Sequence, residues 1–233
     1  MIAMNIRNFN IRFQHCDIKV KLPKGYFKRK AGPYPLVIVQ DGDDLFKDIE
    51  REVIFVGLVQ NDNDKIYAAW QDKVEDESFY SAVDDYLLWI SDQLLPYLKK
   101  CFNVSEQRLD ISIAGASLGG LVALYALFKK PDTFGTYILI SPSIWYPGFL
   151  TFMKQQPIIK EEEHVYWYIG TLEDEQHPEI NTNILAQTEQ GVDILNELLI
   201  SEQITFHFVT NNKELHQQIY FKKYFNKAVK KLF

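Results

Sequence analysis

The sequence predicts an α/β fold with a mostly parallel central sheet, an antiparallel N-terminal edge and helices on both faces. Short continuous apolar runs bounded by turn residues recur along the chain, as in strands buried on both faces. Segments with helical spacing alternate with these runs, and an alternating apolar–polar segment near the N-terminus is typical of edge strands. With 233 residues, 47% of them apolar, we expect one domain over residues 1–233.

The first half of the chain supplies the predicted edge and the first buried strands. Residues 5–22 alternate in places and predict antiparallel strands. Residues 36–39 and 53–59 are apolar runs rich in β-branched side chains, and each ends at a turn rich in Asp and Asn. From Ser78, a candidate N-cap, apolar residues follow a helical period as far as Leu98.

The second half alternates strands with helices. The predicted strands cover residues 109–114, 137–140, 165–169 and 204–209. Helices are predicted over residues 118–130, before the last strand and over residues 217–232. In parallel sheets ligands bind beyond the carboxyl ends of the strands. We therefore expect the polar residues that follow predicted strands to share one edge of the sheet: Asp41, Asn61, Ser117, Ser141, Glu173 and His216.

Composition narrows the range of partners. The chain has 25 basic and 31 acidic residues, a net charge of −6, which argues against a general role in binding nucleic acid. Cys16 and Cys101 fit neither a disulfide scaffold nor a zinc site, so we expect reduced thiols. Arg7 and Arg12 interrupt any N-terminal apolar segment, and no stretch is long enough to span a bilayer. We expect a cytoplasmic protein with no membrane partner.

The strongest motif is a G-x-S-x-G sequence at residues 115–119, between a predicted strand and a predicted helix. In this context Ser117 lies on a strained turn that exposes its hydroxyl, and side chains at Gly115 or Gly119 would collide with the neighbouring strand or helix. The N–H of Leu118, at the start of the helix, can donate to an oxyanion. A glycine-rich turn with a capping serine is the alternative, but the strand-to-helix context favours a nucleophile.

A serine nucleophile needs a general base, which follows it in this chain order. His15 comes too early, and His164 precedes a predicted strand. His207 lies inside the last strand, and His177 comes before that strand. His216 alone follows the last predicted strand and leads into the final helix. We predict that it is the base.

The acid of the triad is an open choice. Glu173 stands third after Gly170, where an orienting carboxylate is expected, and Asp174 is the alternative acid. A merely solvated acidic loop, with a Ser–His pair acting alone, is a further possibility.

The remaining site predictions concern the second oxyanion donor and the substrate. The backbone N–H of Asp43, in the loop after residues 36–39, is the candidate donor. The carboxylates of Asp43 and Asp44 should then point away, because negative charge opposes an oxyanion. Trp70, Trp145 and Tyr146 are candidates for an aromatic substrate pocket, with packing as an equal alternative.

Six segments of the sequence resemble motifs of one known family, and they occur in the same order along the chain. These segments are residues 40–46, 94–97, 113–121, 130–135, 141–145 and 214–216. On these segments the sequence is similar to the esterase family that includes esterase D-like enzymes and enterochelin (siderophore) esterases. The resemblance implies an α/β-hydrolase fold and hydrolysis of carboxylic esters without a metal or cofactor. Residues 65–70 depart from the family, with Lys65 in place of an arginine and no carboxylate, which weakens the expectation of a trilactone or catecholate substrate.

Together these features predict a serine carboxylic-ester hydrolase that forms an acyl-enzyme. Its substrate would be a small acyl ester or a siderophore-type ester. An acyltransferase that transfers the acyl group to another alcohol would need the same triad, so this function is a second enzymatic alternative. A catalytically silent binding protein of the same fold is the alternative from a different class.

Overall fold

The computed structural model describes residues 7–28, 32–59, 76–176 and 183–233. The strands in these ranges are β1 (Asn8–Phe13), β2 (Cys16–Lys21), β3 (Leu36–Gln40), β4 (Ile54–Val59), β5 (Ile111–Ala116), β6 (Thr136–Ile140), β7 (His164–Gly170) and β8 (Thr205–Asn211). They form one eight-stranded sheet in the order β1-β2-β4-β3-β5-β6-β7-β8.

Helices connect the parallel strands. The α-helices are α1 (Asp76–Trp89), α2 (Leu95–Cys101), α3 (Leu118–Lys129), α4 (Phe149–Lys154), α5 (Glu173–Gln176), α6 (Ile184–Leu198) and α7 (Gln218–Leu232). A π-helical segment, Ile90–Leu94, joins α1 to α2, and a 3₁₀ turn, Arg108–Asp110, precedes β5.

Strand direction follows the predicted pattern. β1 pairs antiparallel with β2, and β2 antiparallel with β4, whereas the pairs from β4 to β8 are all parallel. Every residue of β3, β5 and β6 is buried, which explains why these strands are nearly continuous apolar runs. The predicted α/β-hydrolase fold, a mostly parallel sheet with an antiparallel N-terminal edge, is confirmed.

The sheet separates two apolar layers, as the alternation of side chains along each strand requires. Leu36 and Ile38 of β3 face the layer that includes buried residues of α1, α3 and α6. Val37 and Val39 face the opposite layer, which α7 covers with aromatic residues such as Phe225. Helices therefore lie on both faces of the sheet, and the carboxyl ends of the parallel strands form an edge between the two helical layers.

Two local predictions were wrong. Ser78 lies inside α1 and is not its N-cap. The strand predicted over residues 109–114 is β5, which begins at Ile111 and continues to Ala116. It continues because Gly115 and Ala116 pair with Leu139 and Ile140 of β6. Glycine favours a turn when the sequence is considered locally, but tertiary pairing carries the strand two residues further.

Within the ranges that the structure describes, no helix combines the length and apolar character that crossing a bilayer demands.

Candidate active site

Ser117 occupies a strained turn between β5 and α3. Its backbone has φ 53° and ψ −117°, a region that a residue with a side chain adopts only when its surroundings enforce it. The Ser117 N–H donates to the carbonyl of Ile140 at 2.9 Å, and its own carbonyl accepts from the N–H groups of Leu121 and Ser143, both at 3.0 Å. The end of β6 and the first turn of α3 therefore hold this turn.

The glycines around Ser117 leave no room for side chains. A Cβ atom on Gly115 would lie 2.3 Å from the carbonyl carbon of Gly119, and one on Gly119 would lie 2.6 Å from Cβ of Gln40. The predicted collisions at residues 115 and 119 are confirmed. Backbone against backbone is the closest approach that two elements can make, so only glycine fits at position 115.

Leu118 is the first residue of α3, so its N–H belongs to the helix end whose amides lack partners within the helix.

Asp43 lines a surface cavity of about 280 Å³ together with Lys21 and Lys47. Asp43 is not among the residues that line the cavity at Ser117.

A second cavity, of about 180 Å³, contains Ser117. The residues that line it come from the ends of β3 and β5, from the loop after β3 and from the start of α7: Gln40, Asp41, Asp44, Leu45, Ala116, Ser117, Gln218 and Phe221. Contrary to expectation, Asp44 lines this cavity. Its carboxylate accepts from Lys47 at 2.9 Å and lies 3.9 Å from Lys222. The hydrogen bond from Lys47 lowers the pKa of Asp44 despite the opposing effect of burial, so the carboxylate is ionised but paired.

Glu173 lies beyond the end of β7 and is buried. Its Oε2 atom is 2.8 Å from Nδ1 of His216. Its Oε1 atom accepts from the hydroxyl of Ser141 at 2.5 Å and from the N–H of Gly170 at 2.9 Å. Both carboxylate oxygens are thus engaged, and the side chain is held in one orientation against the imidazole.

Asp174, the alternative acid, has a different position. Its carboxylate accepts from the N–H of Ile184, and from the N–H of Leu185 at 3.4 Å. These two amides belong to the first turn of α6, where Asn183 also accepts from Ala186. Asp174 therefore satisfies the start of a helix, a common role for aspartate, and the structure pairs His216 with Glu173.

His216 lies in the loop between β8 and α7. Its ring packs edge-on against Phe221, with 4.8 Å between ring centroids, and Phe221 also lines the cavity that contains Ser117. The predicted nucleophile, base and acid therefore lie at one end of the sheet. The other histidines within the described residues lie elsewhere, with His164 and His207 inside β7 and β8 and His15 between β1 and β2.

Two serines after β6 complete the polar surroundings. Ser141 adopts φ 44° and donates to Glu173, and the buried Ser143 places its Oγ atom 3.2 Å from Oγ of Ser117. Sequence reasoning identified Ser141 only as a residue that follows a strand and gave Ser143 no role. The Ser-Pro-Ser sequence at residues 141–143 was the signal available.

A further carboxylate, which sequence reasoning missed as a site residue, holds the loop of His216. Glu214 is buried and accepts from the hydroxyl of Tyr168 at 2.9 Å and from Lys223 at 2.5 Å. Its carbonyl accepts from the N–H of Leu172 at 3.1 Å. Burial raises the pKa of Glu214, but hydrogen bonds, chiefly from Lys223 and Tyr168, outweigh it and lower the pKa overall. The loop is therefore bonded to both β7 and α7.

The predicted aromatic pocket is only partly described. Trp70 lies outside the described residues, as do Asn61, Lys65 and His177. Trp145 is half-buried, whereas Tyr146 belongs to the buried core on the α3 side of the sheet. The structure therefore favours the packing alternative for Tyr146. In the described part of the chain, no three His, Cys, Asp or Glu side chains form a group that could hold a metal ion.

Comparison with known proteins places this geometry in context. Residues 14–232 match the model of the Esterase family, described as "Putative esterase". The chain is 28% identical to the uncharacterized protein YbbA of Bacillus subtilis over 222 residues, 88% of each chain. It is 30% identical to the ferri-bacillibactin esterase BesA of the same organism over 131 residues, 48% of this chain and 43% of BesA.

Solved structures agree on the fold. The siderophore hydrolase EstB from Aspergillus nidulans superposes with a TM-score of 0.73 at 21% identity, over 97% of this chain and 93% of EstB. An IroE-like serine hydrolase from Shewanella oneidensis superposes with a TM-score of 0.72 at 18% identity, over 97% and 80% of the two chains.

Proposed function

The chain belongs to the esterase family and is an ester hydrolase, and from that premise we propose that it acts as a serine esterase with Ser117 as nucleophile, His216 as general base and Glu173 as the triad acid. The contact between Nδ1 of His216 and Glu173, at 2.8 Å, is the observation that carries this proposal. An N–H donated from Nδ1 to a buried carboxylate fixes the tautomer in which Nε2 is unprotonated. A base in that state can accept the proton of a serine hydroxyl.

The reaction is a two-step acyl transfer to water. Ser117 Oγ attacks the ester carbonyl while His216 accepts its proton, and the backbone N–H groups of Leu118 and Asp43 stabilise the tetrahedral oxyanion. His216 then protonates the leaving alcohol, which departs and leaves an acyl-Ser117 ester. Water, activated by the same imidazole, attacks this ester and releases the carboxylic acid. The carboxylate of Glu173 stabilises the imidazolium.

The substrate we propose is a small acyl ester, since the cavity at Ser117 has a volume of only about 180 Å³. A siderophore-type ester is the second candidate, favoured by the similarity to the ferri-bacillibactin esterase BesA. Lys65 in place of the family's arginine argues against a catecholate trilactone. The cytoplasmic location predicted from the sequence stays a prediction.

A fluorophosphonate probe tests the nucleophile directly. We expect covalent labelling of Ser117, identified by peptide mass spectrometry, and loss of labelling in Ser117→Ala. Ser143→Ala is the matched control, because its hydroxyl lies 3.2 Å from that of Ser117 but does not sit on the strained turn. Folded protein that is not labelled, or is labelled at Ser143, would overturn the assignment.

An ester panel spanning acyl length, aromatic esters and a siderophore trilactone then identifies the substrate class.

A further inference from the structure

Gln40, the last residue of β3, carries a buried amide that is only half satisfied. The residue is 1% exposed, and its Oε1 atom accepts from the hydroxyl of Tyr86 at 2.6 Å. Its Nε2 atom finds no hydrogen-bond partner among the described residues. A buried amide donor without a partner is destabilising, and proteins usually pair such groups.

The position of this donor connects it to the candidate nucleophile. Gln40 lines the cavity that contains Ser117. Its side chain runs beside the first turn of α3, where a Cβ atom on Gly119 would lie 2.6 Å from Gln40 Cβ and 3.3 Å from Cγ. The Cβ and Cγ atoms of Gln40 therefore lie against the turn that carries the reacting hydroxyl and the Leu118 N–H.

The contact with Tyr86 uses the Oε1 acceptor of Gln40, and packing within the protein does not account for the Nε2 donor. Leu36 and Ile38, the preceding residues on the same face of β3, are fully buried apolar residues of the α3-side core. An apolar residue at position 40 would continue that pattern without an unpaired donor. Because an unpaired buried donor beside a reactive site is typical of a group that binds a ligand, the partner of Nε2 is best sought in the substrate.

We propose that Gln40 Nε2 donates a hydrogen bond to an oxygen atom of the substrate's acyl group, close to the scissile carbonyl. The substrate class is then an ester whose acyl chain carries a hydroxyl, ether or amide oxygen on the carbon atom α or β to the carbonyl group. Such an ester is preferred to a plain alkanoyl ester. This inference rests on the proposed serine-esterase function. It adds a specificity-determining residue to that function and does not alter the roles of the triad.

The selectivity has a physical basis. A plain alkanoyl chain offers no acceptor to the Gln40 amide, so the donor stays unpaired in the complex. An acyl oxygen at the same place pairs it, and sites built to bond a substrate oxygen discriminate strongly against analogues that lack it. For one neutral hydrogen bond, we expect a preference of roughly 10-fold in kcat/KM.

The test uses p-nitrophenyl esters in matched pairs, in which an ether oxygen replaces one methylene. Methoxyacetate is compared with butanoate, and 3-methoxypropanoate with pentanoate. An ether only accepts hydrogen bonds, so it reports on a donor in the site. The kcat/KM ratio within each pair is measured for the wild type, Gln40→Met and Tyr86→Phe, and comparison between proteins cancels the intrinsic reactivity of the esters.

We expect the ratio of at least one pair to fall about 10-fold in Gln40→Met, which lacks the amide donor. Tyr86→Phe removes the hydrogen bond to Oε1 but keeps Nε2, so its ratio should match the wild type. Fluorophosphonate labelling of each variant shows that the site is folded. Unchanged ratios in labelled Gln40→Met would refute the role of Gln40, whereas a wild type that neither reacts with the probe nor hydrolyses any ester would refute the esterase proposal itself.

Discussion

Glu173 and Asp174 are neighbours in sequence with opposite surroundings, and this difference makes the acid testable. Glu173 is bonded to His216 and Ser141, whereas Asp174 accepts from amides at the start of α6. We expect Glu173→Gln to lower kcat by about 10³- to 10⁴-fold, because an amide stabilises the wrong imidazole tautomer. Asp174→Asn should cost up to about 1 kcal/mol of stability and leave kcat within a few-fold. Steady-state kinetics and thermal unfolding of both variants measure this, and equal losses of kcat would contradict the assignment.

Ser141 acts one step further from the chemistry, through the carboxylate of Glu173. We expect Ser141→Ala to lower kcat by about 10- to 100-fold, with little change in KM, because a hydrogen bond to a charged group contributes roughly 1.5–3 kcal/mol. Ser105→Ala is the matched control, since the buried Ser105 hydroxyl also donates to a carboxylate, that of Asp110, at 2.5 Å. Both variants should lose similar stability, but only Ser141→Ala should lose kcat. A loss of kcat common to both would indicate a merely structural effect.

At the scale of elements, the junction of β5 and α3 depends on backbone contact. A Cβ atom on Gly115 would lie 2.3 Å from the backbone of Gly119, which neither element can relieve by rotating a side chain. We expect Gly115→Ala to destabilise the protein by more than about 3 kcal/mol. In Gly191→Ala the closest atom, at 2.2 Å, is Cδ1 of Ile144, a movable methyl group, and alanine also favours the helix α6 by about 1 kcal/mol. Chemical denaturation should separate the two variants by several kcal/mol, and comparable midpoints would contradict this account.

The junction also shows what local sequence patterns can and cannot predict. Ser117 and His216 were identifiable because each follows a predicted strand, and parallel strands bring their carboxyl ends together. The choice between Glu173 and Asp174 was not, because it depends on which carboxylate meets an imidazole 43 residues away. The hydrogen bond that Glu214 accepts from Tyr168 also joins distant segments, and no periodicity in the sequence reports such a contact. Gln40 resembles any polar residue at a strand end until its burial is known.

For the whole molecule, the sheet places its reactive groups at one end and a buried ion pair at the other. Glu163, just before β7, is fully buried, and its Oε1 atom lies 2.8 Å from Arg108, which also donates to the carbonyls of Pro131 and Phe134. The Oε2 atom has no hydrogen-bond partner among the described residues. Burial raises the pKa of Glu163, and the nearby Arg108 lowers it. The effect of burial is larger, so the pKa rises from 4.5 to about 7.

This raised pKa makes stability depend on pH in a predictable direction. The folded protein binds the Glu163 proton more tightly than the unfolded chain, so the stabilisation is complete below pH 4.5 and is lost as the pH rises through about 7. The shift corresponds to roughly 3 kcal/mol. Glu163→Gln, which cannot ionise, should therefore lose less stability than the wild type between pH 5 and 8, as measured by urea unfolding at each pH. Glu106→Gln is the control, because Glu106 forms an exposed pair with Lys99 and its replacement should leave the pH dependence unchanged. If Glu163→Gln retained the wild-type pH dependence, the buried carboxyl group would not be the group that titrates with folding.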